Sequence, residues 1–232
     1  MAQLVIGLGS GRSGSVSLAR FLDTQPGAFF CHESAYARPR LLRYTFGDIL
    51  PWEPDERAFG AWLAGLERAA APALFYGDVA PYLLPYTERI LAERPAARFI
   101  CVKRERAAVV ASFLRHSAGT NPWQEHDGRR WLRRSWDRAF PTFAAASKAE
   151  AAGKYWDLYY ARAAGYERRY PERFRLFDFA RLNERGTQEA MLDFAGFPRA
   201  GRAYGMRRTN GSLPAPLMFC LIRLGTALGL DP

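Results

Sequence analysis

Lysine is nearly missing from this chain. Only Lys103, Lys148 and Lys154 occur among 33 basic residues in 232, and the rest are arginine. Cysteine is also scarce: Cys31, Cys101 and Cys220 are odd in number, widely spaced and set in apolar runs. That excludes a disulfide framework, and buried reduced thiols in a cytoplasmic protein are the expectation. No His/Cys/Asp cluster has metal-ligand spacing, so no metal is expected. Low-complexity tracts, internal repeats and long charge blocks are absent, which argues against disordered tails. Long hydrophobic runs are lacking too. The first apolar run is too short for a signal peptide, and the stretch 217–230 is interrupted by Arg223 and falls short of the roughly 20 residues that span a bilayer. Membrane association is therefore not indicated.

What is present is a formal charge of +10 and 49% apolar residues. The length suits one well-packed domain. The arginine excess is compatible with genomic nucleotide bias and also favours anionic ligands such as nucleotides or sulfated sugars. The basic residues are dispersed, so nucleic acid is not expected as a partner.

Five short apolar runs read as strands: 4–8, 28–32, 73–77, 98–103 and 173–179. They scarcely alternate, as expected of strands covered on both faces. Helices are expected over 15–24, 56–71, 86–94, 106–116, 154–170 and 187–195. Another is expected around Leu132, Trp136, Phe140 and Phe143, kinked or ended by Pro141. Alternating strands and helices predict one α/β domain with a mostly parallel sheet, over 1–198. Residues 199–232 are expected to form a C-terminal extension packed on it.

The stretch "LVIGLGSGRSGSVSLARFL" (4–22) is a strand, a glycine turn and a helix start. Gly9, Gly11 and Gly14 let the backbone turn sharply, and the helix beginning near Ser15 aims its free N–H groups at an anion. A nucleotide-kinase loop would continue Gly-Lys-Ser/Thr, but Ser15 and Val16 stand there. The dinucleotide pattern Gly-x-Gly-x-x-Gly also matches, with Glu33 near the ribose-binding distance, yet the chain is short for that fold plus a substrate domain. A glycine-rich turn with no ligand is a further reading. What distinguishes the loop is a cation inside it, Arg12, with Ser13, Ser15 and Ser17 around it.

Arg12-Ser13-Gly14-Ser15 resembles the phosphosulfate loop of sulfotransferases that use 3′-phosphoadenosine-5′-phosphosulfate (PAPS). A second motif agrees. "RFICVKRERAAVVASFL" (98–114) is a strand running into a helix, and Arg104 and Ser112 stand eight apart, as in the family's 3′-phosphate motif. Where the family has Arg-Asp-Pro, this chain has Arg104-Glu105-Arg106. The segments 77–86, 155–183 and 191–198 are similar to later parts of the family. "MRRTNGS" (206–212) resembles the loop that closes over the nucleotide, which makes Arg207, Arg208 and Gly211 candidate contacts.

The resemblance implies PAPS as donor, 3′-phosphoadenosine-5′-phosphate (PAP, 3′,5′-ADP) as product, and a small-molecule or carbohydrate hydroxyl or amine as acceptor. Gly11, Arg12, Ser13, Gly14, Ser15, Val16 and Ser17 would hold the phosphosulfate, and Arg104 and Ser112 the 3′-phosphate. Such transfer depends on positioning and charge stabilisation. The base should lie at the carboxyl end of a neighbouring strand. Glu33 is favoured and His32 is the rival, because arginines nearby should depress a carboxylate pKa. Asp78 is a third candidate, an orienting partner, or a helix N-cap. His116 precedes a segment with turn-forming residues, "SAGTNPWQEHDG", that reads as a loop that could lie over the site and holds His126; Trp123 in it could line an acceptor pocket or sit on an ordinary surface loop, and Trp131, Trp136 and Trp156 read as core. Two other functions stay open: a P-loop kinase of small molecules, and a non-catalytic nucleotide- or polyanion-binding protein.

Overall fold

A computed structural model describes residues 2–44, 47, 49–116 and 139–206, without the side chains of Leu41 and His116. Five strands, β1 Gln3–Leu8, β2 Ala28–His32, β3 Phe75–Val79, β4 Arg98–Lys103 and β5 Phe174–Asp178, form one sheet in the order β2-β3-β1-β4-β5. Every pairing is parallel. The six helices of the described residues are α1 Ser15–Asp23, α2 Glu56–Ala70, α3 Thr87–Glu93, α4 Arg106–His116, α5 Lys148–Arg169 and α6 Arg185–Ala195. This is the α/β architecture that the sequence pattern predicts.

The sheet is buried on both faces, which explains its unalternating strands. Leu4, Ile6 and Leu8 of β1 join the residues of α2 and α5 in an aromatic-rich core. Val5, with Phe30, Val79, Ile100 and Val102, faces α1 and α6. The aromatic core lies under the carboxyl ends of the strands: Tyr155 meets Trp52 edge-on at 5.7 Å and Tyr159 at 5.6 Å between ring centroids. Such pairs contribute about 0.5–1.5 kcal/mol each beyond area burial, and they make a stiff floor.

Helix ends follow local chemistry. Asp55 Oδ1 accepts the Ala58 N–H at 2.9 Å at the start of α2, and Ser147 Oγ accepts the Glu150 N–H at 3.2 Å at the start of α5. Gly196 ends α6 with φ of 87°. Residues 141–147 are not helical, as Pro141 requires. Beyond α6, Ala203 exchanges hydrogen bonds with Gln25 (3.0 and 3.2 Å), and the Gly205 N–H donates to Gln188 at 3.0 Å.

Three elements differ from expectation by two residues or more. α5 starts six residues early, at its Ser147 cap. α6 starts two residues early, at Arg185. β3 sits two residues later than 73–77, so Asp78 lies inside the strand and is not a helix N-cap. Gly77 tolerates this position because a Cβ there would collide with Val5 O of the neighbouring strand.

The chain leaves β1 toward β2 and β3 on one side, then crosses to β4 and β5 on the other. The carboxyl ends of β1 and β4 therefore flank the point where strand order reverses. Ligands of open parallel sheets sit in that crevice.

Candidate active site

The loop after β1 is built to turn tightly. A Cβ on Gly9 would collide with Ser13 Oγ, and one on Gly14 would lie 2.8 Å from the Phe179 ring. Gly11, Arg12 and Gly14 have φ of 75°, 54° and 85°. Arg12 takes this left-handed conformation without being glycine, at a cost of about 1–2 kcal/mol. Two tyrosines of α5 hold the loop: the Gly9 N–H donates to Tyr159 Oη at 3.0 Å and the Ser10 N–H to Tyr160 Oη at 3.4 Å. The Tyr160 hydroxyl in turn donates to Val102 O at 2.7 Å. α1 then begins at Ser15 with neither a side-chain cap nor an acidic residue in its first turn. The first turn of α1 directs its backbone N–H groups out of the helix end, and the helix dipole favours an anion there. Ser13 is fully buried with its hydroxyl turned toward Gly9. Contact of Ser13 with an anion would therefore go through its backbone N–H.

The second predicted anion motif meets the first. Arg12 Nε donates to Ser112 Oγ at 3.2 Å, and Arg104 Nη1 donates to the Arg12 carbonyl at 2.8 Å. The Arg104 guanidinium also lies over the Phe179 ring, 4.9 Å from its centroid. Burial lowers the Arg12 pKa; Glu33 opposes this, while Arg104 and Arg115 add to it. Glu105, which replaces the family's aspartate, caps α4 by accepting the Ala107 and Ala108 N–H groups, both at 2.7 Å. The Arg-Glu-Arg departure thus still starts the helix that carries Ser112.

On the other side of the loop stands the end of β2. His32 Nε2 is 2.9 Å from Ser15 Oγ and 3.8 Å from Glu33 Oε1. Glu33 and Ser34 are both left-handed, with φ of 47° and 62°. Glu33 is 7% exposed, and burial pushes its carboxyl up to about 8; Asp78 adds to the rise and Arg12 opposes it. The expectation that arginines would depress Glu33 is thus corrected. Desolvation outweighs one cation whose guanidinium is shared with Ser112. Asp78 is fully buried, and burial raises its pKa against hydrogen bonds from Trp62, the Cys31 thiol and Ser34.

The sequence comparison agrees with this geometry. Residues 50–164 match the model of a sulfotransferase family. Over that stretch the chain is similar to the sulfotransferase family. The matched stretch holds Asp78, Arg104 and Ser112, while the glycine loop and Glu33 precede it. No curated protein matches the chain significantly. The five-stranded parallel sheet flanked by helices is the P-loop-like fold of a sulfotransferase.

Beside Arg104 the chain has a cleft of about 550 Å³ lined by Lys103, Arg104, Arg106, Trp156, Phe177 and Asp178, among others. The sequence reading puts Trp156 in the core; it is instead half-buried, packed against the core at this cleft. Its Nε1 donates to Arg104 O at 2.9 Å, and Lys103 Nζ sits 5.2 Å from its ring centroid. Sequence reasoning also missed the anchoring tyrosines. Two hydroxyls inside an otherwise apolar helical stripe, "YWDLYY", are the signal that could have found them. Cys31 and Cys101 are free and buried, as expected. Among the described residues no group of His, Cys, Asp or Glu is placed to hold a metal, and no helix is long and apolar enough to cross a membrane. Trp123, His126, Trp131, Trp136, Arg207, Arg208, Gly211, Cys220 and the His116 side chain lie outside the described residues.

Proposed function

We propose that the protein transfers a sulfuryl group from PAPS to a hydroxyl or amine of a small-molecule or carbohydrate acceptor, releasing PAP. The observation that carries this reading is the meeting of Arg12, Ser112 and Arg104. Residues about a hundred apart in sequence, from the loop after β1 and the turn after β4, converge on one point. A nucleotide with anions on both the 5′ and 3′ sides needs such paired cations, and the amides of Ser15, Val16 and Ser17 add a third donor set. The residues fit the donor in another respect: no lysine or magnesium-binding hydroxyl follows Gly14, where a nucleoside triphosphate would call for them.

When bound, PAPS supplies the activated sulfuryl group. Arg12 and the loop amides hold the bridging phosphate and stabilise the charge that remains on it. Arg104 and Ser112 orient the 3′ side, and the cleft beside Trp156 has room for a nucleoside. Glu33 takes the acceptor proton. An ionised carboxylate with a pKa near 8 is a far stronger base than a solvated one, and it lies close to working pH. His32 bonds Ser15 and flanks Glu33, so we assign it to orienting the base. We place residues 1–198 in one catalytic domain with 199–232 as an extension on it. Arg207, Arg208 and Gly211 are assigned to nucleotide closure by the family resemblance alone. Reduced Cys31 and Cys101 suit a cytoplasmic enzyme.

The test is sulfate-labelled PAPS offered with hydroxyl and amine acceptors. Glu33→Gln should lose about 10²–10⁴-fold in transfer while retaining the thermal shift given by 3′,5′-ADP. Transfer at the wild-type rate in that variant would remove Glu33 from the chemistry.

A further inference from the structure

Glu33 and Ser34 are consecutive non-glycine residues in the left-handed region. L side chains are strained there, so the surroundings must hold the turn. The turn's backbone is tied down at both ends: the Glu33 N–H donates to Val79 O at 3.2 Å, and Glu33 O accepts the Gly47 N–H at 2.7 Å. The centre of the grip is one oxygen of Asp78. Asp78 Oδ2 accepts the Ser34 N–H at 3.0 Å, the Ser34 hydroxyl at 3.3 Å and Trp62 Nε1 at 3.1 Å. Ser34 Oγ also lies 2.9 Å from Tyr82 Oη. A fully buried carboxylate is expensive, and an apolar side chain would fill β3 more cheaply if packing were the only need. The Asp78 carboxylate is spent on Ser34 from β2's turn and on Trp62 from α2.

We infer that Asp78 is the positioning residue of this site: from inside β3 it clamps the left-handed Glu33–Ser34 turn and thereby aims Glu33 at the Arg12 loop. The inference rests on the reading of Glu33 as base. Asp78 acts through that turn and touches no reactant. It also adds negative charge beside Glu33, in an environment shared with Arg12 from the loop, His32 from β2, Tyr82 from the segment after β3 and Tyr155 from α5.

The test uses the full chain and three readouts that need no organic acceptor. Carbon-13 NMR of glutamate-labelled protein follows the Glu33 carboxyl, its signal assigned by loss in Glu33→Gln. The midpoint near 8 should fall by about one unit in Asp78→Asn, which keeps an oxygen for Ser34 but drops the charge. In Asp78→Ala the Ser34 amide should exchange with solvent faster, and release of 3′,5′-ADP from PAPS into water should fall about 100-fold. Both variants should keep the thermal shift with 3′,5′-ADP. An unmoved Glu33 midpoint in Asp78→Asn, together with unchanged Ser34 exchange in Asp78→Ala, would overturn the clamp. Wild-type turnover by Glu33→Gln, with the midpoint shift and Ser34 exchange as expected, would sink the base and leave the clamp standing.

Discussion

The two flanks of the glycine loop are opposite in design. On the β4 side, Arg12 and Arg104 are partly accessible, with Ser112 buried behind them, and the cluster offers positive charge and donors to an anion. On the β2 side, Glu33 and Asp78 are buried, and burial holds both toward their neutral forms. One side is made to attract charge, and the other is made to make a charge costly. The proposed sulfuryl transfer would use both: donors that wait for a leaving phosphate and a base made eager for a proton. Ser15 is the seam, because it starts α1 and also meets His32 Nε2.

Breaking each flank separately should therefore give different failures. Glu33→Gln should abolish transfer by about 10²–10⁴-fold with 3′,5′-ADP binding intact. Arg12→Ala should instead weaken 3′,5′-ADP binding about 100-fold, read by isothermal titration. If both variants lose binding equally, the division is wrong.

The flanks are also electrostatically joined, and this gives a signed prediction. Arg12 pulls the Glu33 carboxyl down against burial, so Arg12→Gln should move its midpoint above 8, opposite in sign to Asp78→Asn. The raised value also ties stability to pH. The folded pKa lies above the ordinary 4.5, so the contribution of Glu33 is fully present below about 4.5 and is lost as pH rises through 8. Glu33→Gln should thus melt higher than wild type at pH 9, by a margin worth a few kcal/mol, and at nearly the same temperature at pH 4. Calorimetry at the two pH values decides it.

Smaller effects sharpen the β4 side. Ser112→Ala should weaken 3′,5′-ADP about tenfold and leave adenosine 5′-monophosphate, which lacks the 3′ anion, nearly unaffected. Glu105→Ala removes only the cap of α4, and should lower stability by about 1 kcal/mol with little change in binding.

Much of this frame was legible in the sequence because parallel strands covered on both faces must be continuous apolar runs. The register of β3 was not, since Gly77 and Asp78 look like a turn; their fit depends on Val5 O and on donors from Ser34 and Trp62. That Arg12, Arg104 and Ser112 belong together was legible from the resemblance of two strand-to-helix turns to the family's motifs, and the structure brings the three into contact. The rise in the Glu33 pKa was not, because it is a contest between burial and Arg12 that only packing decides. The tyrosine anchors were hidden for a related reason: at helical spacing, a hydroxyl that holds the loop looks like one more core ring.

The account stands most directly on the nucleotide that the Arg12–Ser112–Arg104 cluster selects. Thermal shifts with 3′,5′-ADP, with ADP, and with ADP plus magnesium measure this on the intact protein. The account predicts a shift for 3′,5′-ADP without metal, about 2.7 kcal/mol of added stability at 100 times Kd, and a much smaller one for ADP. An equal response to ADP, or one that requires magnesium, would contradict it.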